Sequence, residues 1–128
     1  MLLDTNALIW LMNDSPKLGP QARARIVAAP RVYYSSVSVM EIVIKSMLGK
    51  LALPGGERFP DVFAQAGLVE LPFSARQANA LREDEALARH DPFDRMLLAQ
   101  ARVEAIPLLT SDTVLLGLTS ADCIDARH

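Results

Sequence analysis

The sequence predicts an α/β domain with a short central parallel sheet of four to five strands and helices on both faces. Short apolar runs alternate with segments whose apolar residues recur at helical spacing, along almost the whole chain. Because helical segments separate the candidate strands, we expect the strands to run parallel and the helices to cover both faces. The chain has 128 residues, of which 51% are hydrophobic, which is enough for one domain with a substantial core, residues 1–128.

Apolar, β-branched and aromatic runs predict the strands. The first strand is very short, because Asp4 follows only three apolar residues. The second contains Val32, Tyr33 and Tyr34, whose residue types favour strands. The predicted strands are MLL (1–3), RVYYSS (31–36), LVELP (68–72) and IPLLTSD (106–112), with a possible edge strand at DCIDA (122–126).

Proline, glycine and capping residues bound the predicted helices. Pro20 suits the first turn of a helix, Gly49 suits a C-terminal cap, and Ser74 with Gln77 forms a capping box. The predicted helices are TNALIWLMND (5–14), PQARARIVAA (20–29), SVMEIVIKSMLGK (38–50), ERFPDVFAQA (57–66), SARQANALREDEALA (74–88), DPFDRMLLAQARVEA (91–105) and TVLLGL (113–118). The helix over 57–66 is expected to be broken at Pro60 or to begin there.

Charge and cysteine content exclude some classes of protein. The formal net charge of -2 gives no overall basic field, so a nucleic-acid partner would need a local basic patch. Cys123 is the single cysteine and cannot form an internal disulfide, and the first residues do not resemble a secretion signal. No apolar run approaches the roughly 18 to 20 residues of a membrane span. We therefore expect a cytoplasmic protein that does not cross a membrane.

Four acidic residues stand where the predicted fold would bring them together. Asp4 and Asp112 end predicted strands, whereas Glu41 and Asp94 lie in the first turns of predicted helices. In a parallel sheet these positions share one edge, where ligands bind. Buried carboxylates are costly unless a cation or strong donors meet them, and clustered oxygen ligands suit Mg²⁺ or Mn²⁺. The pattern predicts metal-assisted attack of water on a phosphodiester.

Helix capping is the alternative explanation for each acid taken singly. Ser38 and Glu41 have the spacing of a capping box, and Asp91 has the position of a helix cap with Asp94 as a favourable first-turn acid. Asp4 and Asp112 could likewise cap the helices that follow them. Capping does not explain why two apolar strands both end on an aspartate. A shared site is therefore the better interpretation.

Four segments resemble the PIN-domain ribonucleases, and most closely the VapC-like toxins of bacterial type II toxin–antitoxin pairs. They are LLDTNALIW, SSVSVMEIVIKSMLGKLALP, HDPFDRMLLAQA and LLTSD, and the resemblance runs over almost the whole length. It implies a single PIN-like domain and a metal-dependent endoribonuclease. The acids that match the family quartet are Asp4, Glu41, Asp94 and Asp112, with Asp4 and Asp94 the surest metal ligands. The residues that match the surrounding polar positions are Thr5, Asn6, Ser36, Ser38 and Thr110.

Several further residues are candidates for contact with RNA. Arg95, Lys45 and Lys50 are candidates for phosphate contacts, with Arg95 favoured because it is adjacent to Asp94. His90 is predicted to be exposed and incidental, because it has no partner at ligand spacing. Trp10 is predicted to lie in the core or at a subunit interface.

The resemblance also implies partners. VapC-like toxins generally form homodimers and are inhibited by a small antitoxin whose C-terminal segment lies across hydrophobic grooves and the active site. Apolar residues of VFAQAGL (62–68) and IVIKSML (42–48) are candidates for such a groove, although core packing explains them equally well. Two other classes remain possible: a receiver-like Mg²⁺-binding signalling module, and a non-catalytic binding domain on a nuclease scaffold.

Overall fold

A five-stranded parallel sheet forms the centre of the protein in a computed structural model that describes all 128 residues. The strands are β1 (Leu2–Leu3), β2 (Tyr33–Ser35), β3 (Val69–Leu71), β4 (Leu108–Thr110) and β5 (Cys123–Asp125). Their spatial order is β3-β2-β1-β4-β5. The predicted α/β class is confirmed, and the edge strand at the C-terminal end is present.

Seven helices connect or follow the strands. They are α1 (Thr5–Met12), α2 (Pro20–Ala28), α3 (Ser36–Met47), α4 (Asp61–Gln65), α5 (Ala75–Asn79), α6 (Pro92–Glu104) and α7 (Thr113–Leu116). Short 3₁₀ turns lie at Gly56–Arg58, Ala80–Glu83 and Glu85–Leu87. None of the helices combines the length and apolar composition that crossing a bilayer requires.

Strand β1 lies in the middle of the sheet and separates two hydrophobic clusters. Leu2 is paired with Leu108, and Leu3 with Leu109, and all four side chains are fully buried. Because successive side chains of a strand point to opposite faces, Leu3 and Leu109 pack into one cluster with Phe63. Leu2 and Leu108 pack into the other. Helices therefore cover both faces of the sheet, as predicted.

Helix α3 begins two residues earlier than predicted, so the proposed capping box is wrong. Ser35 ends β2 and caps α3, because its hydroxyl accepts a hydrogen bond of 3.0 Å from the amide of Val37. The chain passes from strand to helix with no loop between them. Ser38 therefore lies inside the helix, and Glu41 lies in its second turn and not in its first.

The helix predicted over 57–66 begins after Pro60, as expected, whereas the helix predicted over 74–88 is interrupted. Pro60 disfavours helical backbone at Phe59, which is extended at φ -69° and ψ 135°, so α4 begins only at Asp61. In the second segment the capping box of Ser74 and Gln77 is confirmed, but α5 ends at Asn79. The Asp84 carboxylate accepts two hydrogen bonds from Arg102 of α6, and this contact holds the turn that breaks the helix.

Candidate active site

Three of the four predicted acids line one cavity at the C-terminal edge of the sheet. Asp4 follows β1 and Asp112 follows β4, and these two strands are neighbours. Asp94 lies in the first turn of α6, which begins at the same edge. The cavity measures about 280 Å³ and is lined by Asp4, Asn6, Asp94, Ser111, Asp112, Thr113 and Arg127. The structure thus brings together acids that lie far apart in the sequence.

Asp4 is held rigidly at the base of this acid cavity. Its side chain is only 3% exposed, and one carboxylate oxygen, Oδ1, caps α1 by accepting from the amide of Ala7 at 2.7 Å. The other, Oδ2, accepts from the Thr110 hydroxyl at 2.8 Å and from the Ser111 amide at 3.0 Å. Burial raises the pKa of the Asp4 carboxyl, and these three hydrogen bonds oppose that effect. Capping and site formation are therefore roles of the same side chain.

The side chains of Asp112 and Asp94 both face the imidazole of His90. Asp112 Oδ1 caps α7 by accepting from the amides of Val114 and Leu115, while Oδ2 lies 3.0 Å from His90 Nε2. The same His90 nitrogen lies 3.7 Å from Asp94 Oδ2.

The pKa values of the Asp94 and Asp112 carboxyls are shifted in opposite directions. Burial, a hydrogen bond with Asp112 and the nearby negative charges raise the pKa of Asp94 to about 8. Burial alone would raise the pKa of Asp112, but the Leu115 amide, the Asp94 carboxyl and His90 together hold it below its ordinary value. Asp94 therefore carries the proton that the pair retains near neutral pH.

Glu41 lies beside these acids but does not line the cavity. Its side chain is 8% exposed, and its Oε2 accepts from Lys45 Nζ at 2.6 Å, one helical turn further on. Its Oε1 is buried and has no hydrogen-bond partner. The negative charge of Glu41 contributes to the raised pKa of Asp4.

The donor set of this region fits a divalent cation. Three carboxylates converge on one small cavity, and a fourth has a buried oxygen with no partner. Burial is the main cause of the raised pKa of Asp94, and the nearby negative charges, which a bound cation would compensate, raise it further. Oxygen ligands of this kind suit Mg²⁺ and Mn²⁺.

Four of the predicted polar residues contact an acid, line the cavity or contact each other. The Thr110 hydroxyl donates to Asp4 and accepts from the amide of Asp112 at 3.0 Å, so it links the two aspartates. The Asn6 amide lines the cavity and donates to the Ser111 hydroxyl at 3.2 Å. Thr5, which follows Asp4, is buried, and its hydroxyl is hydrogen-bonded to Ser38 Oγ of α3 at 2.9 Å.

Two predicted residues contact other parts of the protein. Ser36 accepts from the amide of Phe73 and so ties α3 to the segment after β3. Arg95 donates to the carbonyl of Ala88, and its Nε is buried with no partner. Asp91 caps α6 by accepting from the amides of Phe93 and Asp94, which confirms its capping position.

His90 and Arg127 lie at the site although the sequence did not predict them there. The expectation that His90 is exposed and incidental is wrong, because its side chain is 21% exposed and contacts Asp112. The sequence feature that could have indicated this position is that His90 precedes Asp94 by four residues. Arg127 donates to the Ser111 carbonyl at 2.6 Å, and its guanidinium lies 5.8 Å from the centre of the Trp10 ring. No sequence pattern pointed to Arg127.

Comparisons with solved structures agree with this architecture. DNA-bound VapBC from Salmonella typhimurium matches with a TM-score of 0.70 and 22% identity, covering 97% of this chain and 96% of that chain. VapBC2 from Rickettsia felis, bound to a promoter DNA fragment, matches with a TM-score of 0.70 and 16% identity, covering 96% of each chain. VapBC-1 from nontypeable Haemophilus influenzae matches with a TM-score of 0.70 and 18% identity, covering 97% and 96%.

A comparison with curated protein sequences finds no match. The model of the PIN domain family, in contrast, matches residues 1–118, which is most of the chain and includes all four predicted acids. The resemblance found in the four sequence segments is thereby confirmed, and the chain belongs to the PIN-domain family.

Proposed function

We propose that this protein is a metal-dependent endoribonuclease that acts as the toxin of a toxin–antitoxin pair. The observation that carries the proposal is the convergence of Asp4, Asp94 and Asp112 on one cavity in a PIN-domain protein. Glu41 lies beside them with a buried oxygen free of hydrogen bonds. PIN-family membership supports nuclease activity, and the acid cavity supports its dependence on a divalent cation.

Asp4, Asp94 and Asp112 would hold Mg²⁺, or Mn²⁺ in its place, with Glu41 as the fourth acid. When bound, the cation supplies positive charge to the phosphate and lowers the pKa of water. Asp4 supplies a fixed carboxylate, because its three hydrogen bonds prevent it from turning away. The Asn6 amide and the Arg127 guanidinium line the same cavity and provide N–H donors for an RNA phosphate.

The direct test is cleavage of RNA by the purified protein with Mg²⁺ or Mn²⁺, with EDTA, and with the variant Asp4→Asn. We expect cleavage that needs the cation and falls by orders of magnitude in the variant. Because water attacks and the 2′-hydroxyl takes no part, no 2′,3′-cyclic phosphate should form, and the chemistry of the PIN-domain ribonucleases further implies 5′-phosphate and 3′-hydroxyl ends. Cleavage that persists in EDTA, or 2′,3′-cyclic phosphate ends, would exclude the metal mechanism.

An apolar stripe on α3 supports the proposal that the protein forms a homodimer. Met47 is 81% exposed and Leu48 is 63% exposed, which is unusual for large apolar side chains. The exposed residues recur at helical spacing along one side of α3 and are Met40, Val43, Ile44, Met47 and Leu48. A second copy of the same stripe would cover them. The other candidate groove, VFAQAGL, is different, because Val62, Phe63 and Leu68 are buried in the core.

A small antitoxin is the second proposed partner. One structure similar to this chain is described as a toxin–antitoxin complex from Klebsiella pneumoniae, with a TM-score of 0.66 and 20% identity. The acid cavity would attract a basic side chain, and arginine fits best because its guanidinium pairs with carboxylates in two parallel hydrogen bonds. An antitoxin that inhibits cleavage without contacting Asp4, Asp94 or Asp112 would contradict this part of the proposal. The protein would act in the cytoplasm, where RNA and antitoxin are both present.

A further inference from the structure

The imidazole of His90 is placed among the acids and not in solvent. It lies immediately before Asp91, the cap of α6, and its own amide donates to the carbonyl of Leu87 at 2.9 Å. That bond fixes the backbone on the N-terminal side, and the cap fixes it on the other side. The ring is therefore held with Nε2 facing Asp112 and Asp94.

The carboxylate oxygens that face His90 are atoms that take no part in capping a helix. Asp112 uses Oδ1 for its two helix-capping bonds, so Oδ2 is the oxygen directed at His90. Asp94 likewise directs Oδ2 at the ring, and its amide is the group that Asp91 caps. One nitrogen and two carboxylate oxygens thus point towards the same space. Other atoms accept the hydrogen bonds of the amides at the starts of α6 and α7.

We propose that His90 Nε2 is a ligand of the divalent-cation site and gives this site a preference for transition ions such as Mn²⁺ over Mg²⁺. The inference rests on the proposed function for the existence of the site. The ligand atoms of His90, Asp94 and Asp112 lie within 4.8 Å of one another. Two atoms bound to one ion at about 2.1 Å lie about 3.0 Å apart when adjacent and about 4.2 Å apart when opposite. The observed 3.0 Å and 3.7 Å from His90 Nε2 fall within that range.

The choice of ion follows from the nature of the donor. Mg²⁺ is a hard cation that is bound almost entirely by oxygen. Mn²⁺ also accepts oxygen ligands, but as a first-row transition ion it binds imidazole nitrogen more readily than Mg²⁺ does. A site built only from Asp4, Asp94, Asp112 and Glu41 would offer oxygen alone. Adding His90 makes the donor set mixed, so it should increase the affinity for Mn²⁺ more than the affinity for Mg²⁺.

Pulsed electron paramagnetic resonance of Mn²⁺ bound to the RNA-free protein tests this directly, because a directly bound imidazole modulates the Mn²⁺ echo at ¹⁴N frequencies. The chain has two histidines, and His128 is 72% exposed, so His128→Gln is the matched control. We expect the ¹⁴N modulation in the wild type and in His128→Gln, and its loss in His90→Gln. Labelling histidine with ¹⁵N should remove the ¹⁴N signal from the His128→Gln protein.

Competition between the two ions gives a second readout. In His90→Gln the ratio of the Mg²⁺ to the Mn²⁺ dissociation constant should fall roughly tenfold or more. Mn²⁺ bound to the wild type without ¹⁴N modulation would overturn the assignment of His90 and leave the metal-dependent nuclease intact. Failure to bind Mn²⁺ at all would overturn both. The spectra of His128→Gln with and without ¹⁵N-histidine decide the assignment even if His90→Gln folds poorly, because His90 is the only histidine left in that protein.

Discussion

Replacing Asp94 by asparagine changes the charge of the acid cavity while leaving the cap of α6, Asp91, in place. The pKa of Asp94 is raised to about 8 in the folded, metal-free protein, against 3.8 for an ordinary aspartate. Between these pH values the folded protein holds a proton that the unfolded chain has lost. The free energy of unfolding should therefore fall as pH rises from about 4 to about 8, and then become level.

The magnitude follows from the size of this pKa change. Its full thermodynamic equivalent is about 6 kcal/mol, since each pH unit corresponds to about 1.4 kcal/mol. The Asp94 side chain is 24% exposed, so solvent screens part of the repulsion between its charge and that of Asp112. We expect about 2 kcal/mol to remain. Near pH 6 the wild type carries a neutral Asp94 and should match Asp94→Asn in stability, whereas near pH 9 the variant should be more stable by that amount.

The assay is urea unfolding of the wild type and Asp94→Asn at both pH values in EDTA, repeated at saturating Mn²⁺ and accompanied by RNA cleavage. Mn²⁺ should stabilise the variant much less than the wild type, because it binds the folded variant more weakly. Asp91→Ala is the matched control. It removes the acceptor of two amide hydrogen bonds and should cost about 1 kcal/mol, but because it keeps all the proposed ligands it should retain most of the stabilisation by Mn²⁺. An Asp94→Asn protein that is less stable at both pH values, equally stabilised by Mn²⁺ and still active would refute the reasoning.

Three further substitutions test other parts of the structure. Lys45→Ala should destabilise the metal-free protein by about 1 kcal/mol by urea unfolding, because it leaves the buried Glu41 carboxylate without its cation, and bound Mn²⁺ should reduce that loss. If Mn²⁺ makes no difference, Glu41 is remote from the metal. Gln100→Leu should cost about 2 kcal/mol in the same assay, because the fully buried Gln100 accepts from the Ser35 hydroxyl. An unchanged stability would mean that water replaces the lost partner. Met47→Asp should convert a dimer into a monomer by light scattering at micromolar concentration, since it introduces a charge into the exposed α3 stripe. A variant that stays dimeric would place the dimer interface elsewhere.

The sheet and its acids were predictable because the physical rule is simple. Asp4 and Asp112 follow apolar strands, and the ends of parallel strands lie at one edge whichever strands are neighbours. The position of Asp94 was equally predictable from the Asp91 cap and the proline after it. Capping and metal binding looked like competing explanations in the sequence. In the structure the two explanations are compatible, since one oxygen of Asp112 caps a helix and the other faces His90.

The errors arose where contacts between distant residues decide the local structure. The segment 74–88 has good helical spacing, but its helix ends at Asn79, and Arg102 binds Asp84 in the 3₁₀ turns that follow. Ser38 and Glu41 match a capping box in sequence, yet each has a tertiary or helical partner that differs from the one predicted. His90 was underestimated for the same reason, because its partner Asp112 is 22 residues away. Local spacing could indicate the pairs of Glu41 with Lys45 and of His90 with Asp94, but not the pairs of Ser38 with Thr5, His90 with Asp112 or Asp84 with Arg102.

Because Thr110 and Ser111 hold Asp4 in place, the acid cavity can form only late in the folding of the chain. These partners are separated from Asp4 by 106 and 107 positions, so a growing chain contains the acid long before it contains the donors that fix it. Strand β4 must also be inserted beside β1 before Asp112 reaches the cavity. Pairing over such a separation occurs late, because closing a long loop is costly in entropy. The acid cavity can therefore be completed only after Thr110, Ser111 and Asp112 have been synthesised and β4 has paired with β1.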